Sequence, residues 1–494
     1  MTAYVYNTMT KKREPFEPKE PGKLSMYACG LTVYDKSHIG HAMQAIIYDM
    51  IRNYFEFRGY EVTYVRNYTD VDDKIIERAA LENKPALVYS QEMIDLSLKD
   101  MALLGVKPAT IEPKVSEHIP EIIELIQKLI DKGHAYESQG DVYFEVRSFP
   151  KYGCLSNRDP EELRSGSRIE INQQKNDPLD FALWKRAKEG EVSWTSPWGE
   201  GRPGWHIECS AMAEKYLGRE FDIHGGGRDL IFPHHENEIA QSCAAHDSCY
   251  ARYWIHNGLI LVDGQKMGKS KGNFYTIQDA VKAFHPEAIR YTILKSHYTA
   301  NIDFCDSAFH DAYSRMLYFY NTFKRVEEIR EQFPDAEATP PANITVPNIK
   351  DAFIEVMDDD FNTVAAIREI NAGFKFINDL VAAKKPKMKQ KAGVILAVAD
   401  EIKTCLGILG LCQNPSKQAL AEIQEYLIRA RNIDPAEVEA RLQERVAARE
   451  NKEWQKADDI RESLIADGIA VMDTPQGTEW QVLPHKPKAC DKEA

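Results

Sequence analysis

The order of elements between residues 24 and 71 restricts this chain more than any other feature in it. LSMYACG (24–30) reads as a buried strand. The loop LTVYDKSHIGH follows it. AMQAIIYDMIRNYFEFRGY then shows helical periodicity that ends at Gly59, and EVTYVRNYTDV (61–71) reads as the next strand. Strand, helix and strand in that order make a βαβ unit, with parallel strands and a right-handed crossover. Ligands of such sheets sit outside the carboxyl ends of the strands. The expected fold class is therefore α/β, with a Rossmann-like parallel sheet at its centre.

From about 115 to 205 the pattern becomes irregular and rich in Trp, Gly and Pro, as in DPLDFALWKRAKEGEVSWTSPWGEGRPGW. This reads as an insertion that splits the α/β domain into 1–114 and 206–300. Residues 301–348 form a connecting region that ends in the Pro- and Ala-rich linker FPDAEATPPANITVPN. Beyond it, Phe353, Val356, Met357, Phe361, Val364, Ile367, Phe374, Ile377 and Leu380 recur at helical spacing, which predicts a helical bundle over 349–412. KKPKMKQK (384–391) reads as a loop between its helices. A smaller unit, 413–494, completes the chain.

The net charge of −14 argues against polyanion binding by the whole surface, but it leaves room for a local basic face. Nine cysteines without a repeating spacing, and no apolar leader, point to reduced thiols and a cytoplasmic location. No apolar run approaches the roughly 20 residues of a membrane span.

Three stretches carry chemistry. His38-Ile39-Gly40-His41 precedes the first helix, whose N-terminus attracts phosphate; in isolation the same residues also read as a cap on that helix. GQKMGKSKGN (264–273) has the glycines and lysines that suit a polyphosphate, or a solvated basic loop. PHHENE (233–238) gathers two histidines and two glutamates. It is not the hydrolytic H-E-x-x-H pattern, because Ile239 stands where the second His would be needed. His234 and Glu238 are four apart and share a helical face. His235 and Glu236 face elsewhere, as support or substrate contacts.

A HIGH-type loop early in a parallel domain and a KMxKS-type loop near its end resemble the two signatures of class I aminoacyl-tRNA synthetases. Longer stretches are similar to one family of that class, the cysteinyl-tRNA synthetases. They are MYACGLTVYDKSHIGHA, RNYTDVDDKI, GRPGWHIECSAM, FDIHGGGRDLIFPHHENEIAQS, KMGKSKGNF, DDDFNTVAAI and ADDIRESLIADGIAVMDTPQGTEW, which together span about residues 20 to 480. The resemblance implies ATP-dependent activation of L-cysteine, release of pyrophosphate, and transfer to the 3′-terminal adenosine of tRNA(Cys), with Mg²⁺ accompanying ATP. It implies that His38, His41, Lys266 and Lys269 stabilise the phosphoryl group in flight, where positioning and charge dominate. Gly40, Gly227 and Asp229 would join them around ATP. This chain departs from the family at one signature position, with Gly268 where KMSKS has Ser.

Cysteine and serine differ by one atom, and a pocket that only measures size discriminates by roughly 10–200-fold. A soft metal replaces shape with bonding. The resemblance implies one zinc ion held by Cys29, Cys209, His234 and Glu238, with Glu238 the most replaceable ligand. It also implies that Trp205 and His224 close over the substrate, with Thr69 near its polar groups.

For the RNA, the candidate basic face comprises KKPKMKQK, Arg441, Arg445, Arg449, Lys452, Lys456 and Arg461. Trp454 and Trp480 each read either as a stacking platform for anticodon bases or as core. The insertion would help place the acceptor end of the tRNA, and nothing demands more than a monomer. Two other readings are a cysteine–amino-sugar ligase of mycothiol synthesis, which lacks the full C-terminal unit, and a non-catalytic tRNA-binding paralogue, suggested by Gly268. A zinc hydrolase would also need an activated water and a general base beside the metal.

Overall fold

The computed structural model describes residues 2–159, 174–268, 272–341, 344–474 and 477–484. Four strands form the central sheet: β1 (Lys23–Thr32), β2 (Glu61–Thr69), β3 (Phe221–Gly227) and β4 (Ala251–Asn257). Their order is β4-β3-β1-β2 and every pairing is parallel. β2 extends the sheet from one edge of β1, and β3 and β4 extend it from the other. The order thus reverses between β1 and β3, where a parallel sheet opens a crevice for ligands.

Helix α1 (Ile39–Phe57) connects β1 to β2 and is buried nearly all round. Its apolar residues pack on the sheet on one side and on the helical bundle on the other. Polar anchors fix the second contact: Arg290 donates to Asp49 Oδ2 of α1 (2.5 Å) and to the carbonyl of Leu409 in the bundle (2.6 Å). Helices α2 (Ile207–Leu217) and α3 (Glu236–His246) flank β3 in sequence and carry most of the polar site.

One irregularity in β1 shapes the ligand end of the sheet. The β1–β2 register slips between Ala28 and Leu31, so Cys29 and Gly30 occupy a bulge there. Bulges re-aim side chains next to functional sites. Only glycine fits at position 30, because a Cβ there would lie 1.5 Å from the carbonyl oxygen of Asn67. The Gly30 N–H donates to Asn67 Oδ1 (2.9 Å), which locks the bulge.

The inserted segment is more regular than its sequence suggests. It carries a helix, Ile119–Asp131, and a five-stranded antiparallel sheet built from Ala135–Ser138, Asp141–Phe144, Phe181–Arg186, Trp194–Ser196 and Gly199–Pro203. Strands of three to six residues are too short to show a period, which is why this stretch reads as irregular.

Beyond the sheet, helices Asp306–Gln332, Ile349–Met357, Thr363–Ala382, Met388–Leu409 and Ser416–Arg431 form the bundle, and its core is continuous with that beneath α1. Helices Pro435–Glu450 and Trp454–Ala466 and the hairpin Ile469–Thr474/Gly477–Val482 enclose a second small core of Val438, Leu442, Leu464, Ile469 and Val471.

Candidate active site

A cleft of about 820 Å³ opens at the carboxyl ends of β1, β3 and β4. His38, His41, Trp205, Gly227, Asp229 and Gly268 all border it, as does Gly40. Distant sequence positions converge here because the strand ends converge.

His38 caps α1: its Nδ1 accepts from the Gly40 N–H (3.1 Å), while His41 Nδ1 accepts from the His38 N–H (3.3 Å). Each ring therefore carries its proton on Nε2. The two rings stack with centroids 3.5 Å apart. Burial, and then His38 beside it, hold His41 well below the ordinary imidazole value. The capping and phosphate-facing readings of this loop are thus compatible. Capping uses the Nδ1 atoms and fixes both Nε2–H groups as donors.

The second signature loop lies against the first. The Ile39 N–H donates to the Tyr275 carbonyl (3.2 Å), Phe274 meets the His38 ring edge-on at 5.3 Å, and the Gly268 N–H donates to Asn273 Oδ1 (2.9 Å). Lys266 lies on the short strand Gln265–Lys266. Its side chain, and all of Lys269, lie outside the described residues.

Beside the cleft is a buried cluster. Single ligand atoms of Cys29, Cys209, His234 and Glu238 all lie within 4.8 Å of one another. Cys29 comes from the β1 bulge and Cys209 from the first turn of α2. His234 comes from the turn before α3, and Glu238 from its first turn. Cys29 Sγ is 3.8 Å from Cys209 Sγ and 3.4 Å from Glu238 Oε1, and His234 Nε2 is 3.1 Å from Glu238 Oε1. A second set, Cys29, His224, His235 and Glu238, meets the same distance limit. It suits a metal less well, because it has one thiol instead of two, and His224 Nε2 is already engaged with Glu238 Oε2 (2.7 Å).

The electrostatics follow from burial and pairing. Burial pushes the Cys29 thiol well up, whereas the hydrogen bond from Cys29 brings Cys209 down to about 6. Burial opposes charge on both His234 and Glu238, but their attraction outweighs it. His234 rises to about 10, and His224 and His234 together hold Glu238 well below the carboxylate range. A site that keeps one thiol acidic beside a fixed carboxylate suits a soft divalent cation.

The three substrate-pocket candidates take different positions around the cleft. His224 has no solvent exposure, stacks on Trp254 (4.7 Å) and supports Glu238. Trp205 lies over His234 (4.5 Å) and borders the cleft. Thr69 is buried and donates its hydroxyl to Glu208 Oε2 (2.6 Å). Glu236 accepts from the N–H groups of Gly153 (2.9 Å) and Ser156 (2.8 Å), so it ties the insertion to α3 as a support. Sequence reasoning misses His206 and Tyr250. His206 stands between two candidate residues, Trp205 and Cys209, in WHIEC. Tyr250 carries no local signal at all, yet its hydroxyl donates to Glu238 Oε2 (3.0 Å).

Among the RNA candidates, Lys391 is buried and its ammonium caps the Leu380 and Ala383 carbonyls. Arg445 is also buried and grips Asp473 with both terminal nitrogens (2.8 and 2.9 Å), and Arg449 joins it there (2.8 Å). Arg441 pairs with Asp467 and Lys456 with Glu444. Trp480 packs against the small core and donates to Glu439 Oε1 (2.6 Å), whereas Trp454 is 60% exposed.

A reversing parallel sheet whose cleft is clasped by a HIGH-type loop and a KMxKS-type loop is the architecture of a class I aminoacyl-tRNA synthetase. Solved structures share the fold: Mycobacterium tuberculosis methionyl-tRNA synthetase in complex with methionyl-adenylate (TM-score 0.63, 15% identity, 81% of this chain and 93% of that one), and an Agrobacterium radiobacter K84 LeuRS ternary complex (TM-score 0.58, 11% identity, 81% and 87%). Residues 15–314 match the family described as tRNA synthetases class I (C) catalytic domain, 352–413 a DALR domain, and 435–480 the cysteinyl-tRNA ligase anticodon binding domain. A cysteine–tRNA ligase of Syntrophotalea carbinolica is 47% identical over 97% of this chain and 100% of its own length. The chloroplastic/mitochondrial cysteine–tRNA ligase of Arabidopsis thaliana is 44% identical over 97% of this chain and 86% of its own. The chain belongs to the cysteine–tRNA ligase family, and its activity is the ATP-dependent attachment of cysteine to tRNA(Cys). No helix among the described residues is long and apolar enough to cross a membrane.

Proposed function

We propose that Cys29, Cys209, His234 and Glu238 hold one zinc ion and that this cage selects the amino acid by its sulfur. The convergence of two thiols, an imidazole and a carboxylate from four separate segments carries the reading. When bound there, zinc supplies a soft Lewis acid that favours thiolate over hydroxyl. The chain's own residues do the rest. Trp205 borders the cleft and covers His234, so it walls the side-chain pocket. His38 and His41 direct Nε2–H groups to the ATP phosphates, and the Lys266 and Lys269 ammonium groups close on them with Mg²⁺. Gly227 and Asp229 border the nucleoside end. Thr69 and His224 complete the substrate pocket, and each is held by a carboxylate, Glu208 and Glu238 respectively.

The exposed Trp454 offers a stacking face for the anticodon, with Lys452 and Arg461 as basic contacts on either side of it in sequence. The enzyme works as a cytoplasmic monomer. The test is ATP–pyrophosphate exchange with cysteine and with serine, followed by charging of tRNA(Cys), each with and without a zinc chelator. Exchange with cysteine that the chelator abolishes, together with charging, supports the reading. Exchange and charging that the chelator leaves unchanged, with the same preference for cysteine over serine, overturn it.

A further inference from the structure

His234 uses its two ring nitrogens in opposite directions. Nε2 faces the cage, 3.1 Å from Glu238 Oε1 and 3.6 Å from Cys209 Sγ. Nδ1 lies 2.9 Å from Nδ1 of His206. A metal-bound imidazole is neutral and keeps its proton on the nitrogen that does not ligate, and a partner that accepts this proton fixes ring orientation and tautomer. That partner is usually a carboxylate, a carbonyl or water. Here it is a second imidazole, so the His206 Nδ1 must be bare and its own proton must sit on Nε2.

Three further contacts hold His206 in place. Its ring packs between those of Phe181 (5.6 Å) and Trp205 (5.1 Å), on the insertion side of the cleft. Its carbonyl accepts from Gln241 Nε2 (2.9 Å), which belongs to the helix that carries Glu238. His206 also borders the cleft. It is therefore the side chain through which the insertion, the cleft wall and the cage meet.

We propose that His206 is a positioning residue for the ligand His234: it accepts the Nδ1 proton, and so fixes the ring that faces the metal. The inference rests on the zinc reading of the cage. The side-chain oxygen of Asn can reproduce an acceptor at the Nδ1 position, whereas Gln reaches to the Nε2 position and Phe keeps only the ring. In competition against a chromophoric chelator, the full chain with His206→Asn should retain zinc about as well as the unchanged protein. His206→Gln and His206→Phe should lose roughly 10–100-fold in zinc affinity, the usual size of such outer-shell effects. The Co²⁺-loaded proteins should show the same grouping in their visible d–d spectra. Retention by His206→Phe within about threefold of the unchanged protein, or equal loss by His206→Asn and His206→Phe, overturns the positioning role alone. An unchanged protein that fails to hold one equivalent of zinc overturns the zinc reading itself.

Discussion

Glu238 presents one carboxylate oxygen to His234 and the other to His224: Oε1 lies 3.1 Å from His234 Nε2, and Oε2 lies 2.7 Å from His224 Nε2. The Tyr250 hydroxyl also donates to Oε2 (3.0 Å). The ligand expected to be most replaceable is thus tethered from behind, so its Oε1 is the part free to change partners. In an X-ray absorption spectrum of the zinc-loaded enzyme, addition of cysteine is expected to add a sulfur neighbour. An unchanged sulfur count would refute recognition through the thiol. Tyr250→Phe removes one tether and is expected to weaken zinc retention by about 10-fold, read by chelator competition.

Cys209→Ser replaces the more acidic of the two thiols with a poor ligand for a soft metal. Zinc content is expected to fall. Cysteine-dependent pyrophosphate exchange should drop by at least about 100-fold, while the preference over serine shrinks toward the roughly 10–200-fold limit of a pocket that measures size. Exchange rates with both amino acids, measured beside metal content, check this.

Gly268→Ser restores the residue usual at this position in the signature loop. Gly268 borders the cleft, and its N–H donates to Asn273. A side chain there narrows the backbone freedom of the open loop. The expected result is a severalfold rise in kcat/KM for ATP with little change for cysteine; a fall would show that this loop depends on glycine.

Acid should destabilise the enzyme well above the carboxylate range. Burial, then His224 and Arg228, hold His256 down at about 3 in the folded protein, against about 6.5 in an unfolded chain. As pH falls below about 6.5 the unfolded chain takes up the proton first. This share of stability is full above that pH and is lost progressively down to about 3. Urea unfolding at pH 7 and pH 5 is expected to show the decline, on the order of a few kcal/mol, with a shallower slope in His256→Gln.

The two tryptophans of the C-terminal unit should separate cleanly. Trp454→Ala is expected to weaken tRNA charging by about 1–3 kcal/mol, the worth of one stacked base, and to leave pyrophosphate exchange intact. Trp480→Ala removes a packed ring and its hydrogen bond to Glu439, and is expected to lower the unfolding temperature of the small unit.

The parallel sheet was legible because β1, α1 and β2 lie in one continuous stretch whose periodicity changes once. The cage was legible only through resemblance, since Cys29 and Cys209 are far apart in sequence and no spacing links them. What escaped was the layer behind it. His224 was legible only through resemblance, because β3 is buried at every position and its sequence has no alternation to show which group each side chain meets. Tyr250 escaped because it belongs to an ordinary turn before β4. Lys391 and Arg445 read as basic surface because sequence shows charge and not the carbonyls or carboxylate that consume it.

Every side chain from His234 to Glu238 has a separate obligation. His234 and Glu238 face the cage, and His235 packs behind it at 3.2 Å from Cys29 Sγ. Glu236 holds the insertion, and Asn237 accepts from the Tyr152 hydroxyl (2.5 Å). One residue of slippage in a helix turns each side chain by about 100°. Loss or gain of a single residue here would therefore exchange all five duties at once. A substitution in this segment forfeits one duty, whereas a change in its length forfeits all five.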